Sequence, residues 1–131
     1  MTILEKDTSL HNIYWWKPPA GFGWIDFHRA VDDMSSLMSE VAQPVIIVAQ
    51  PQGDLPAGNA IPHLKRLFAL LKAQDTIRYF VIILDNQQPV SKALMLIVLR
   101  IYGIPDKFIM VPTLKDAIGM IEVYIDAGAN N

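Results

Sequence analysis

The sequence has no cysteine, which excludes a disulfide framework, a thiolate metal site and a cysteine nucleophile. It also lacks a surplus of charge: 11 Lys plus Arg stand against 13 Asp plus Glu, a formal net charge of -2, with no block of like sign. Nucleic-acid binding draws on a basic face that releases phosphate counterions, so that class is set aside. Long apolar runs are missing as well. The longest, residues 93–99, is closed by Lys92 and Arg100, far short of the roughly 20 residues that span a bilayer, and no membrane span is expected. Near the start, Glu5, Lys6 and Asp7 stand where a signal peptide needs an apolar core, so the expected location is the cytoplasm.

What is present suits one globular core. With 131 residues, 52% of them hydrophobic, the chain has the size and the apolar material of a single domain spanning residues 1–131. No internal repeat, low-complexity tract or linker interrupts it.

The apolar pattern alternates between two periods. The first residues supply a short edge strand, and the β-branched and aromatic run Ile13, Tyr14, Trp15, Trp16 predicts a strand halted by Pro18, Pro19 and Gly21. Phe27, Val31, Met34, Met38 and Val41 then recur at helical spacing. Residues 45–49 form a continuous apolar run of the kind that is covered on both faces of a parallel sheet. After a loop rich in Pro and Gly at residues 50–59, Ile61, Leu64, Leu67, Phe68 and Leu71 predict a second helix. Residues 79–84 repeat the buried-strand signal and Asp85-Asn86 ends it. A third helix is expected from Pro89 to about Gly103, a last strand at residues 108–111, and a fourth helix opened by a capping-box-like Thr113 and Asp116 and running to about Gly128. Strand and helix alternating four times predict an α/β fold: a central four- to five-stranded, mostly parallel sheet covered by about four helices.

In such sheets ligands collect beyond the carboxyl ends of the strands, so the loops at residues 17–24, 50–59, 85–88 and 112–113 carry the functional expectations. Gly21-Phe22-Gly23 opens like a dinucleotide fingerprint, but Asp26 occupies the third glycine position, where its carboxylate would repel a pyrophosphate. The plain reading is a flexible loop before a helix. His11, His28 and His63 share no metal-ligand spacing, and no metal site or cofactor is expected. His28 and Asp32 lie one helical turn apart, read as a solvated surface pair because no nucleophile stands nearby. Asp85, at a strand end, resembles a phosphoacceptor without its acidic partners and is read as a turn residue. No nucleophile, base and oxyanion site are forced into one place, and no enzymatic activity is expected.

The third helix is apolar all round. Ala93, Leu94, Ile97, Val98 and Ile101 are expected to face the core, leaving Met95, Leu96, Leu99 and Tyr102 on the outer side. A face of that kind predicts a partner or subunit interface.

Residues 44–49 (Pro-Val-Ile-Ile-Val-Ala), 61–67 (Ile-Pro-His-Leu-Lys-Arg-Leu), 79–84 (Tyr-Phe-Val-Ile-Ile-Leu) and 113–118 (Thr-Leu-Lys-Asp-Ala-Ile) resemble the SpoIIAA-like group of STAS domains, bacterial modules related to anti-sigma factor antagonists. The resemblance covers roughly residues 3–126. It implies helices largely on one side of the sheet and a role in switching between protein partners, with a Ser or Thr after a central strand as the phosphorylated residue. The corresponding region here has neither, since no Ser or Thr occurs between Ser39 and Thr76. What remains as a partner-binding loop is Asp54, Leu55, Pro56, Gly58 and Asn59. The expected function is thus a non-catalytic regulatory module that binds a protein partner and forms a homodimer; the alternative is a carrier of a small lipid-like ligand.

Overall fold

The computed structural model describes residues 4–7 and 12–129, with the side chains at 90, 91, 94, 98, 99, 102 and 125–129 outside that description. The elements run β1 (Glu5–Lys6), β2 (Ile13–Trp16), α1 (Trp24–Glu40), β3 (Val45–Ala49), α2 (Ile61–Ala73), β4 (Ile77–Ile83), α3 (Pro89–Tyr102), β5 (Phe108–Val111) and α4 (Leu114–Ala129). The five strands lie side by side in chain order. β2 to β5 are parallel, and β1 adds an antiparallel edge through Glu5↔Trp15 and Lys6↔Tyr14. The expected α/β alternation is therefore present, as a five-stranded and mostly parallel sheet with four helices.

Alternation along each strand divides the core in two. Tyr14, Trp16, Val45, Ile47, Ala49, Phe80, Ile82 and Phe108 face the cluster that contains α1, α2 and Met95 of α3. Ile13, Trp15, Ile46, Val48, Val81, Ile83, Ile109 and Val111 face the cluster that contains Ala117 and Ile121 of α4. Every residue of β3 is buried, which is why its sequence carries no polar alternation. Between β3 and β4 the register steps from Val45↔Ile77 to Ile46↔Tyr79, so Arg78 is left over, as in a β-bulge, and turns to solvent. On the helix side, Phe80 stacks on Phe108 with centroids 5.6 Å apart and planes 9° from parallel, and Phe68 meets Phe108 edge-on at 5.1 Å.

α3 corrects the expected phase of the third helix. Met95, placed on the outer side by the sequence pattern, is 8% exposed and belongs to the core, whereas Ile97 and Ile101, placed inward, are 53% and 70% exposed. Positions two and six residues beyond Met95 are turned by about 200° and 240° at 3.6 residues per turn, and so point away from whatever Met95 meets. Leu96 is exposed as expected; the side chains of Leu99 and Tyr102 lie outside the described residues. Among the described residues no helix is long and apolar enough to cross a membrane.

Candidate functional site

The loop at residues 50–60 leaves β3 at the carboxyl edge of the sheet and is fastened on three sides. Toward the loop after β2, Gln50 N–H donates to Trp16 O at 2.8 Å and Gln52 N–H to Pro18 O at 2.9 Å. Gly53 passes so close to Ala20 that an added Cβ would stand 3.1 Å from the Ala20 Cβ. Toward the loop after β4, Asn86 Nδ2 donates to Pro51 O at 3.2 Å, Gln87 Nε2 donates to Gly53 O, and Leu55 N–H donates to Gln87 Oε1 at 3.3 Å. Toward α1, Trp24 Nε1 donates to Ala57 O at 3.0 Å. The loop then enters α2 through Asn59, whose Oδ1 accepts the Ile61 N–H at 3.1 Å. Gly58, at φ +99°, makes the reversal that an L side chain resists.

Between this loop, the first turns of α2 and α3 lies a cleft of about 410 Å³ lined by Leu55, Pro56, Gly58, Asn59, Ile61, Leu64, Gln87 and Met95, among others. Leu55, Leu64 and Met95 also line a void of about 20 Å³ reaching Trp16, Phe27, Phe80 and Phe108, which is room for one water-sized group. Gln87 is the one buried polar side chain among the described residues, and both ends of its amide are bound by the loop. The cleft therefore offers apolar walls to an uncharged apolar group.

Of the residues singled out from the sequence, Leu55, Pro56, Gly58 and Asn59 gather at this cleft. Asp54 instead accepts the Gln88 N–H at 2.8 Å, tying the loop to the start of α3. Met95 forms cleft wall rather than outer surface, and Leu96 lies on the exposed side of α3. Gln87, Ile61 and Leu64 are not singled out as site residues by the sequence, Gln87 lying only within the 85–88 loop and the other two reading as the second helix. Gln87 sits in a polar turn run, and the other two carry the period of a core helix.

The histidines also depart from expectation. His28 and His63, 35 positions apart, meet with His28 Nε2 2.7 Å from His63 Nδ1. Arg66 donates to His28 Nδ1 at 2.9 Å and to Asp32, so the expected His28–Asp32 pair is bridged by a guanidinium. His63 stacks on Trp24, with centroids 4.2 Å apart and planes 10° from parallel. Loss of water around its ring, then the Arg66 charge, then His63, lower the His28 pKa from its ordinary 6.5, against the pull of Asp32. His11 lies outside the described residues. Asp26 accepts the Gly23 N–H at 3.0 Å and so caps α1, as Thr113 and Asp116 cap α4 through contacts of 2.7 and 3.2 Å. Asp85 lies in an exposed turn. Among the described residues, no three His, Asp or Glu side chains are grouped to hold a metal ion.

No family model matches the chain, and no curated protein or solved structure matches it.

Proposed function

We propose that this chain is a cytoplasmic, non-catalytic regulatory module of STAS-like fold that docks a protein partner with the loop at residues 50–60 and pairs with a second copy through α3. The observation that carries this reading is the apolar surface on α3. Leu96, Ile97 and Ile101 are 40%, 53% and 70% exposed, and Ile97 and Ile101 stand one turn apart on one face. Ile104, 40% exposed, follows just beyond the helix end. Large apolar side chains grouped in water mark surfaces that another chain covers. The fastened loop beside them supports the same reading, because a surface already ordered before binding loses little entropy on docking. Three helices on one face of the sheet are in keeping with what the STAS resemblance implies.

Light scattering tests the pairing. The wild-type chain is expected above monomer mass, and Leu96→Glu or Ile101→Glu is expected to return it to monomer. A strict monomer, unchanged by either substitution, rejects the α3 interface.

The cleft itself favours a second reading, a carrier of a small lipid-like molecule. Native mass spectrometry separates the two. A retained small molecule supports the carrier, and a bare dimer mass supports the interaction module.

A further inference from the structure

The docking loop has no hydroxyl to phosphorylate, but it is joined to a chain of groups that responds to a smaller charge, the proton. Arg66 of α2 reaches across to α1, donating to His28 Nδ1 at 2.9 Å, to His28 O at 3.2 Å and to Asp32. His28 Nε2 meets His63 Nδ1 at 2.7 Å. His63 stacks on Trp24, whose indole N–H holds the Ala57 carbonyl of the loop.

The protons of this chain have one satisfactory arrangement. A guanidinium donates and never accepts, so His28 Nδ1 is bare. A neutral imidazole then carries its proton on Nε2, which donates to His63, and His63 Nδ1 is bare in turn. A further proton on His28 has only Nδ1 to take, and there it faces the guanidinium. The groups facing His28 are Arg66 and His63 from α2, which oppose its charge, and Asp32 one turn along α1, which favours it while bound to Arg66. The loop contributes the Ala57 carbonyl, held by Trp24.

We propose that His28, Arg66 and His63 form a proton-operated latch on the docking loop: a proton added at His28 Nδ1 sets a cation against the Arg66 guanidinium, parts α1 from α2 at that point, draws His63 off the Trp24 ring and releases the indole's hold on Ala57, so that the loop opens in mild acid. The stacking of His63 on the Trp24 ring works against release. The deciding observable is therefore the Trp24–Ala57 bond and not the ring titration.

Nitrogen-resolved NMR of the full chain tests the latch without any partner. At neutral pH His28 is expected as the Nε2–H tautomer, titrating below the ordinary 6.5. Through that titration the solvent-exchange protection of the Trp24 indole N–H is expected to fall on the order of tenfold, the change that about 1.4 kcal/mol of lost hold gives. His28→Leu is expected to remove the protection at neutral pH and abolish its pH response; if that variant does not fold, the wild-type titration decides alone. A His28 proton on Nδ1, or indole protection unchanged through the titration, overturns the latch. Its regulatory meaning rests on the docking reading above, yet the two fail separately: unaltered indole protection leaves the α3 interface standing, and a strict monomer leaves the latch standing.

Discussion

The side-chain oxygen of Gln87 accepts the backbone N–H of Leu55 at 3.3 Å, while its amide nitrogen donates to Gly53 O, so one buried side chain replaces two backbone partners for a loop that has no strand to pair with. Gln87→Ala leaves a carbonyl and an N–H unpaired beside the core. Each such group costs about 1–3 kcal/mol when water cannot reach it, so the two together are expected to cost about 2–6 kcal/mol at most, nearer the low end because Gly53 and Leu55 are half-buried, and urea unfolding registers the loss. Gln87→Glu keeps the shape but sets an acceptor against the Gly53 carbonyl, and is expected to be at least as damaging. Gln88→Ala serves as the control, since the neighbouring tie uses the Gln88 backbone; its effect should stay within about 0.5 kcal/mol.

Lys107 closes the far end of α2. Its Nζ donates to Leu71 O and Gln74 O, each at 3.0 Å, placing a cation on the last carbonyls of the helix, where the dipole is negative. Lys107→Met retains the aliphatic stem and removes both bonds, and should lower stability by about 1–2 kcal/mol. The same measurement with added salt checks the cause, because a half-buried charge on a helix end is screened only in part.

The sequence pattern reached the fold where one period dominated. β3 is legible because five apolar residues in a row between a proline and a polar loop have little other use than a doubly covered strand. α1 is legible by its period, because charged and apolar positions separate cleanly along it, although Val41, which continues that period, already lies past its end as the cap. α3 defeated it for the opposite reason. Apolar residues stand on every side of that helix, so the period carries no phase, and only the crossover from β4 to β5 decides that Met95 points inward and Ile97 outward. The loop at residues 50–60 is legible as a loop and not as a structure, because Gln87 and Asn86, which hold it, look like ordinary turn residues until β4 ends beside β3. His28 and His63 were unreadable for a similar reason: their meeting depends on how α1 and α2 are rotated against each other, and 35 positions of chain carry no trace of it.

Two glycines should respond in opposite directions to the same added methyl. At Gly53 the new Cβ would stand 3.1 Å from Ala20 Cβ and 3.2 Å from Ala20 Cα, tight enough that the Ala20 backbone has to give way. Gly53→Ala is expected to lower the melting temperature through about 1–3 kcal/mol of overpacking. Gly119 sits inside α4 with nothing within 4 Å of the new atom. Gly119→Ala is expected to stabilise by about 0.5–1 kcal/mol, because alanine loses less backbone freedom in a helix. A melting temperature that rises for both would show that the Ala20 loop yields freely.

Arg66 separates an electrostatic role from a structural one. Its ion pair with Asp32 joins side chains that are 42% and 65% exposed, so Arg66→Leu should cost at most about 1 kcal/mol at neutral pH. Its effect on acid sensitivity should be larger in kind. With Arg66 present the folded state holds His28 below 6.5, so the unfolded chain takes up that proton first as the pH falls. The stability tied to neutral His28 is thus fully present above the ordinary imidazole range and is lost as the pH drops through it. Removing the guanidinium deletes one cause of the lowered value and frees Asp32, which raises it, from its ion pair, while lost hydration and His63 still lower it. Urea midpoints taken at about pH 7.5 and 5.5, either side of imidazole's ordinary range, should therefore draw closer together in Arg66→Leu than in the wild type. An unchanged gap would mean that the guanidinium does not govern the His28 proton, and that lost hydration and His63 do.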